Sequence, residues 1–283
     1  MRLQNYILEY ADYKKSGRGK GISEEEALKL APKFSQAILS ATTGNPLIIR
    51  YRSGRESFYL IDPKKDERRS ANTLNYYTFI MDNSKKWSKY PKRSKSIIAR
   101  IETDKVGNSY YVVLPENGAK IGECSDKDLW ISFSNISVNM DSWNMHVRFI
   151  LNLPLYTDKE INSKKININQ QQKYDKNIAT FKKACKKFDY WVKNETTFSV
   201  NEIKNILKKK YITVWFSWFE KWNGEPIYNY FDKVLDPKIN DFNLRNIFNI
   251  NPWENEVWTD STSLMIKDFS VFKDYINKAK ELI

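Results

Sequence analysis

Short apolar runs, rich in β-branched and aromatic side chains, punctuate this chain at irregular intervals and constrain its fold more than any other feature. Residues 46–51 (PLIIRY), 58–61, 96–101, 110–114, 119–121 and the stretch 255–266 read as strands. Turn signals bound them: Ser53-Gly54 after the first, Asp62-Pro63 after the second, Pro115-Glu116-Asn117-Gly118 between the fourth and fifth. Helical patterns fall among these runs without the strand–helix alternation of a doubly wound parallel sheet. The pattern predicts an α+β fold.

The helical segments carry their own punctuation. Ser23 caps a helix that Glu24, Glu25 and Glu26 begin, with Glu26 placed to complete a capping box. Leu30, Phe34 and Ile38 then recur every four residues, and Pro32 predicts a kink or split between them. Leu74, Tyr77, Thr78 and Met81 mark one face of a helix over 70–84, and 181–192 and 200–211 read as lysine-rich helices. Trp215, Trp218, Phe219 and Trp222 fall at helical spacing, as a core face or a stacking platform. A last helix gathers Phe272, Tyr275, Ile276 and Ala279, and the polar stretch 163–173 (SKKININQQQK) reads as an exposed loop or a seam.

Composition narrows the chemistry. No apolar run approaches the ~20 residues that cross a bilayer, and the start MRLQNYILEY lacks the apolar segment of a signal peptide. With no such run, no membrane is expected as a partner, and two cysteines, Cys124 and Cys185, suit reduced thiols in a cytoplasm better than a disulfide framework. The single histidine, His146, stands among Trp143, Met145, Val147 and Phe149 and reads as structural. Zinc sites built on several His and Cys are thereby excluded, and no metal is expected.

Charge is distributed unevenly. The formal net charge is +13, and residues 1–100 hold 21 Lys and Arg against 10 Asp and Glu. Between Lys85 and Arg100 stand seven basic residues and no acidic one. Lys85, Lys86, Lys89, Lys92, Arg93 and Lys95, interleaved with Trp87 and Tyr90, form the mixture of cations and flat rings that suits nucleic acid or another polyanion. A solvated basic face on an Asn-, Lys- and Ile-rich chain from an AT-rich genome is the other reading. The loop 14–21 (KKSGRGKG) has glycines at phosphate-loop spacing but no strand before it.

Three short elements are read together. They are Ile49-Arg50-Tyr51-Arg52 at a strand end, Ser94-Lys95-Ser96 leading into the apolar run 97–99, and Glu254-Asn255-Glu256 leading into Val257-Trp258. In kind and order they resemble the arginine–serine–glutamate branch of the mono-ADP-ribosyltransferases, with Lys95 where that family usually has Thr. The segment YPKRSKSII and its surroundings also resemble a phage protein type. The resemblance implies a pair of small packed β-sheets around an NAD cleft, preceded by a helical segment over 1–45. It makes 46–283 one domain with a helical insertion at about 150–225, which the long gap from Ser96 to Glu254 requires.

It also implies roles. Breaking the nicotinamide–ribose bond of NAD develops positive charge on the ribose, which Glu256 would stabilise. Arg52, or else Arg50, would hold the pyrophosphate with its fork of donors. Ser94 would orient Glu256, Ser96 would shape the nicotinamide pocket, and Glu254 would act as general base. The implied activity is transfer of ADP-ribose from NAD to a host protein arginine or to nucleic acid, by an effector of phage or bacterial origin. A literal Ser261-Thr262-Ser263 follows the glutamates and is out of order.

Two other classes stand beside this one. The first is a non-catalytic nucleic-acid-binding or virion-associated protein using the segment 85–100. The second, weaker one is a metal-dependent nuclease built on Glu102, Asp104 and Lys105, a set that more often makes a charged turn.

Overall fold

The computed structural model describes residues 19–45, 47–51, 55–65, 75–102, 110–129, 131–133, 136, 140–163, 177–210, 217–250 and 255–283. Arg52, Glu254, Trp215, Asp104 and Lys105 lie outside the described residues, as do most of the stretches 14–21 and 163–173. The strands are β1 (Lys20–Gly21), β2 (Leu47–Tyr51), β3 (Phe58–Ile61), β4 (Ile97–Glu102), β5 (Tyr110–Pro115), β6 (Ile121–Glu123), β7 (Asn243–Arg245), β8 (Glu256–Thr259) and β9 (Ser263–Lys267). The helices are α1 (Glu24–Lys29), α2 (Ser35–Thr42), α3 (Tyr76–Asn83), α4 (Met140–Asn152), α5 (Asp158–Asn162), α6 (Ile178–Asn194), α7 (Val200–Lys210), α8 (Ile227–Val234) and α9 (Phe269–Ala279). No described helix is long and apolar enough to cross a membrane. The chain divides into two compact units: Met1–Thr73, Trp87–Ser132 and Asp241–Ile283 form one, Leu74–Lys86 and Phe133–Asn240 the other.

The first unit carries the sheet, and the α+β expectation holds. The expected pair of small sheets is not what the described strands form. All nine bond into one antiparallel sheet in the order β1-β3-β9-β5-β2-β4-β8-β6-β7. The physical reason is that β2 pairs on both edges, with β4 and β5, while β9 joins β3 to β5, so no break separates two sheets. Local sequence specifies strands but not how they group.

One row of directly opposed residues crosses six strands. It runs Phe58, Ile266, Val112, Ile49, Arg100, Glu256. The first four are at most 5% exposed, whereas Arg100 is exposed and Glu256 partly so. Opposed residues in an antiparallel pair share a face, so this face turns from core to polar at β4. Ala27, Phe34, Ile38, Tyr275 and Ile276 of the flanking helical segments join the apolar core of the unit.

The caps explain where those helices begin. Ser23 and Glu26 form the reciprocal capping box, and Pro32 sits in a 3-10 turn (Ala31–Phe34) that splits α1 from α2. Asp268 caps α9, its carboxylate accepting from the N–H groups of Ser270 and Val271 at 3.1 Å.

The second unit is helical, with an aromatic interior. Tyr76 of α3 stacks on Phe181 of α6 at 5.0 Å, and Trp143 of α4 packs against Trp218 and Phe231. Trp218, Phe219 and Trp222 are buried around a 3-10 turn (Ser217–Lys221), a core and not a stacking platform. The apolar stretch around His146 belongs to α4. His146 accepts the Trp218 indole N–H on Nδ1 at 3.1 Å, and burial lowers its pKa to about 4. It is structural.

Candidate functional site

Glu256 opens β8, and Arg93 meets it. The guanidinium Nη2 donates to Oε1 at 2.5 Å, with the side chains 9% and 14% exposed. Arg93 also lies over the Trp258 ring, 5.2 Å from its centroid. Trp258 donates its indole N–H to the Pro91 carbonyl at 3.0 Å and stacks on Tyr90, whose hydroxyl donates to the Phe242 carbonyl at 2.8 Å. Trp87 packs on both Tyr90 and Trp258. The segment 87–93 is thus fastened to the sheet by rings, with one ion pair at its end.

Around the pair the chemistry is closed. Cys124 is fully buried with Sγ 3.7 Å from Glu256 Oε1. Burial pushes its thiol well up and the Glu256 carboxylate adds to this, against the opposing pull of Arg93. Such a thiol is inert as a nucleophile. On the opposite face the fully buried Glu123 accepts from Arg245 Nε at 2.7 Å and from Asn255 Nδ2 at 3.2 Å. Each carboxylate accepts a charge-assisted hydrogen bond from one arginine nitrogen, a strong tie between distant chain segments.

Among the described residues, the expected transferase residues are not brought to one place. Ile49, Arg100 and Glu256 share a row, so Arg50, one residue on, projects from the opposite face. Arg50 therefore does not serve the same cleft as Glu256. The antiparallel pairing of β4 and β8 sets Ile97 against Thr259 and Arg100 against Glu256. Ser96 consequently sits roughly 13 Å along the ladder from the Glu256 row, and its Oγ donates to the Lys92 carbonyl at 2.6 Å. Ser94 stands beside Arg93 in a 3-10 turn (Arg93–Lys95), half-buried.

The basic segment divides by direction. Trp87 is 1% exposed and offers no face to a base, and Arg93 is committed to Glu256. Within the helical unit, Lys86 pairs with Asp232 at 3.7 Å and Asp236 at 3.1 Å. Lys85, Lys89 and Lys95 are exposed, and Lys92 and Tyr90 are half-buried. Half of the expected polyanion residues therefore hold the fold together.

A stronger basic surface lies on α6. Lys182, Lys183, Lys186, Lys187 and Lys193 all point outward, while Phe181, Ala184, Cys185, Phe188 and Trp191 are buried. At 3.6 residues per turn the lysines fall within an arc of about 140°. Lys183, Lys186, Lys187 and Lys193 make no ion pair with another described residue. Lys182 lies over the Tyr228 ring, 5.0 Å from its centroid. The one acidic residue of the helix, Asp189, accepts from the Ile227 N–H at 2.8 Å and so caps α8. Its carboxyl is raised by burial, against that hydrogen bond. The signal in the sequence was the Lys-Lys-x-x-Lys-Lys spacing of residues 182–187, which places four cations on one face.

No protein-family model, curated protein or solved structure matches this chain.

Proposed function

We propose that this chain binds nucleic acid through the lysine face of α6. The observation that carries this reading is a helix whose outward arc holds Lys183, Lys186, Lys187 and Lys193, none in an ion pair with another described residue. Unpaired like charges crowded on one arc repel each other, and a row of phosphates relieves that repulsion while releasing its own counterions. An anionic membrane fits less well. A helix lying in a lipid interface immerses its apolar face, and the apolar face of α6 is already buried in its own unit. The test is equilibrium binding of a labelled oligonucleotide to the full chain over a salt series. Steep weakening with salt, relieved when Lys183, Lys186, Lys187 and Lys193 become Gln, supports the reading; equal binding by wild type and variant removes it.

A second reading, NAD-dependent transfer of ADP-ribose to a protein arginine or to nucleic acid, draws on one observation. The strands bearing its three motifs, β2, β4 and β8, are consecutive in the sheet, and Glu256 opens β8. Under this reading Arg93 fixes the position of the Glu256 carboxylate, Arg52 grips the pyrophosphate of NAD, and Glu254 activates the acceptor. Glu256→Gln then lowers NAD turnover by about 100-fold or more. Wild-type protein that neither binds nor turns over NAD removes it.

A further inference from the structure

An exposed aromatic ring stands in the middle of the lysine face. Tyr190 is 58% exposed, the most exposed of the large apolar and aromatic side chains among the described residues. On the helix it has Lys186 and Lys187 one turn before it and Lys193 one turn after it. Asn194 closes the C-terminal side, its Nδ2 donating to the Tyr190 carbonyl at 3.0 Å. The other rings of this helix, Phe181, Phe188 and Trp191, are inside. A tyrosine left out of a core that holds so many rings, and ringed by cations instead, is placed to meet something both flat and anionic.

We infer that Tyr190 is a stacking platform that makes the α6 face select unpaired over paired nucleic acid; this rests on the nucleic-acid reading above. One base lies on the Tyr190 ring, and its flanking phosphates reach Lys186 and Lys187 on one side and Lys193 on the other. The lysines before and after the ring are separated by about 9–10.5 Å of helix rise, and flexible four-carbon stems close the remaining distance to successive phosphates. In a duplex the base faces are stacked on one another and only the phosphates remain, so a duplex meets the lysines and not the ring. Stacking tolerates any base, so the preference is for single strands and not for a sequence.

The experiment compares three probes on the full chain: a labelled oligothymidine, a duplex of equal length, and heparin, which supplies anionic groups without bases. Tyr190→Ala is expected to weaken oligothymidine binding about 10-fold or more while leaving heparin binding unchanged. Tyr190→Trp is expected to restore or exceed the wild-type affinity. Because Tyr190 is exposed, the thermal midpoint of both variants should match wild type, which separates a lost contact from a lost fold. Oligothymidine binding unchanged in Tyr190→Ala, or weakened equally with heparin, overturns the stacking inference. In either case a loss of all binding in the four-lysine variant keeps the basic-face reading alive. Binding to phosphatidylserine vesicles in preference to oligothymidine would overturn both.

Discussion

Arg93 and Glu256, 163 positions apart in the chain, meet at 2.5 Å with both side chains almost out of solvent. A buried pair of this kind is weak evidence for net stability, but removing one partner strands a charge in a poorly hydrated site. Arg93→Met or Glu256→Leu alone is expected to destabilise the protein by about 3 kcal/mol. The double variant Arg93→Met/Glu256→Leu should recover most of that loss. Chemical denaturation of the four proteins completes the cycle. Additive losses would mean that the two residues are not coupled.

The ring cluster beneath Arg93 makes a separate demand on Gly122. A methyl group there would overlap the Trp258 ring, which cannot retreat because Tyr90 and Trp87 back it. Gly122→Ala is expected to lose about 2–3 kcal/mol, at the upper end of overpacking costs. Pairing it with Trp258→Leu should relieve the clash, so that Ala at 122 becomes tolerable in that background. The denaturation midpoints report it.

Asp268 is under two opposing pressures. It caps α9, yet its φ of 42° and ψ of 171° lie in a region that suits glycine alone. Asp268→Ala loses the cap and keeps the strain, for an expected cost of about 1–2 kcal/mol. Asp268→Gly loses the cap but relaxes the backbone, and is expected to cost less than Ala. An order reversed in thermal melts would place the strain elsewhere.

His146 makes the helical unit sensitive to acid. Burial holds its pKa at about 4, against 6.5 for a free imidazole. The unfolded chain therefore binds the proton more readily than the folded one. Stability is fully present above about pH 6.5 and falls as pH drops toward 4, by up to roughly 3 kcal/mol. His146→Gln should be less stable than wild type near pH 7 and flatter between pH 6.5 and 4. A wild-type pH profile as flat as that of the variant would contradict the buried neutral imidazole.

Much of the local structure was legible in the sequence. The run 58–61 is β3 residue for residue, the Ser23/Glu26 box opens α1, and Pro32 splits the helices as proline should. Helices α4 and α8 were not visible, because Asn144 and Arg148 interrupt the apolar face of the first, and Pro226 and Asn229 obscure the start of the second. The candidate site was legible only as residue types. Which face Arg50 takes and which end of β8 lies beside Ser96 are matters of register and strand direction, set by pairings across the chain. The Arg93–Glu256 contact is long-range in the same sense. The α6 surface was readable from spacing, because a helix turns side chains outward by position alone.

The central claim is that α6, and not the segment 85–95, provides the nucleic-acid surface. Two triple variants of equal charge change decide it: Lys183, Lys186 and Lys187 to Gln, and Lys85, Lys89 and Lys95 to Gln. Each is titrated with single-stranded oligonucleotide across a salt series. Losing three phosphate contacts flattens the slope of log affinity against log salt by about 2. The α6 variant should show that flattening, and the other a near wild-type slope. A flattened slope for the segment 85–95 with α6 unchanged would contradict it.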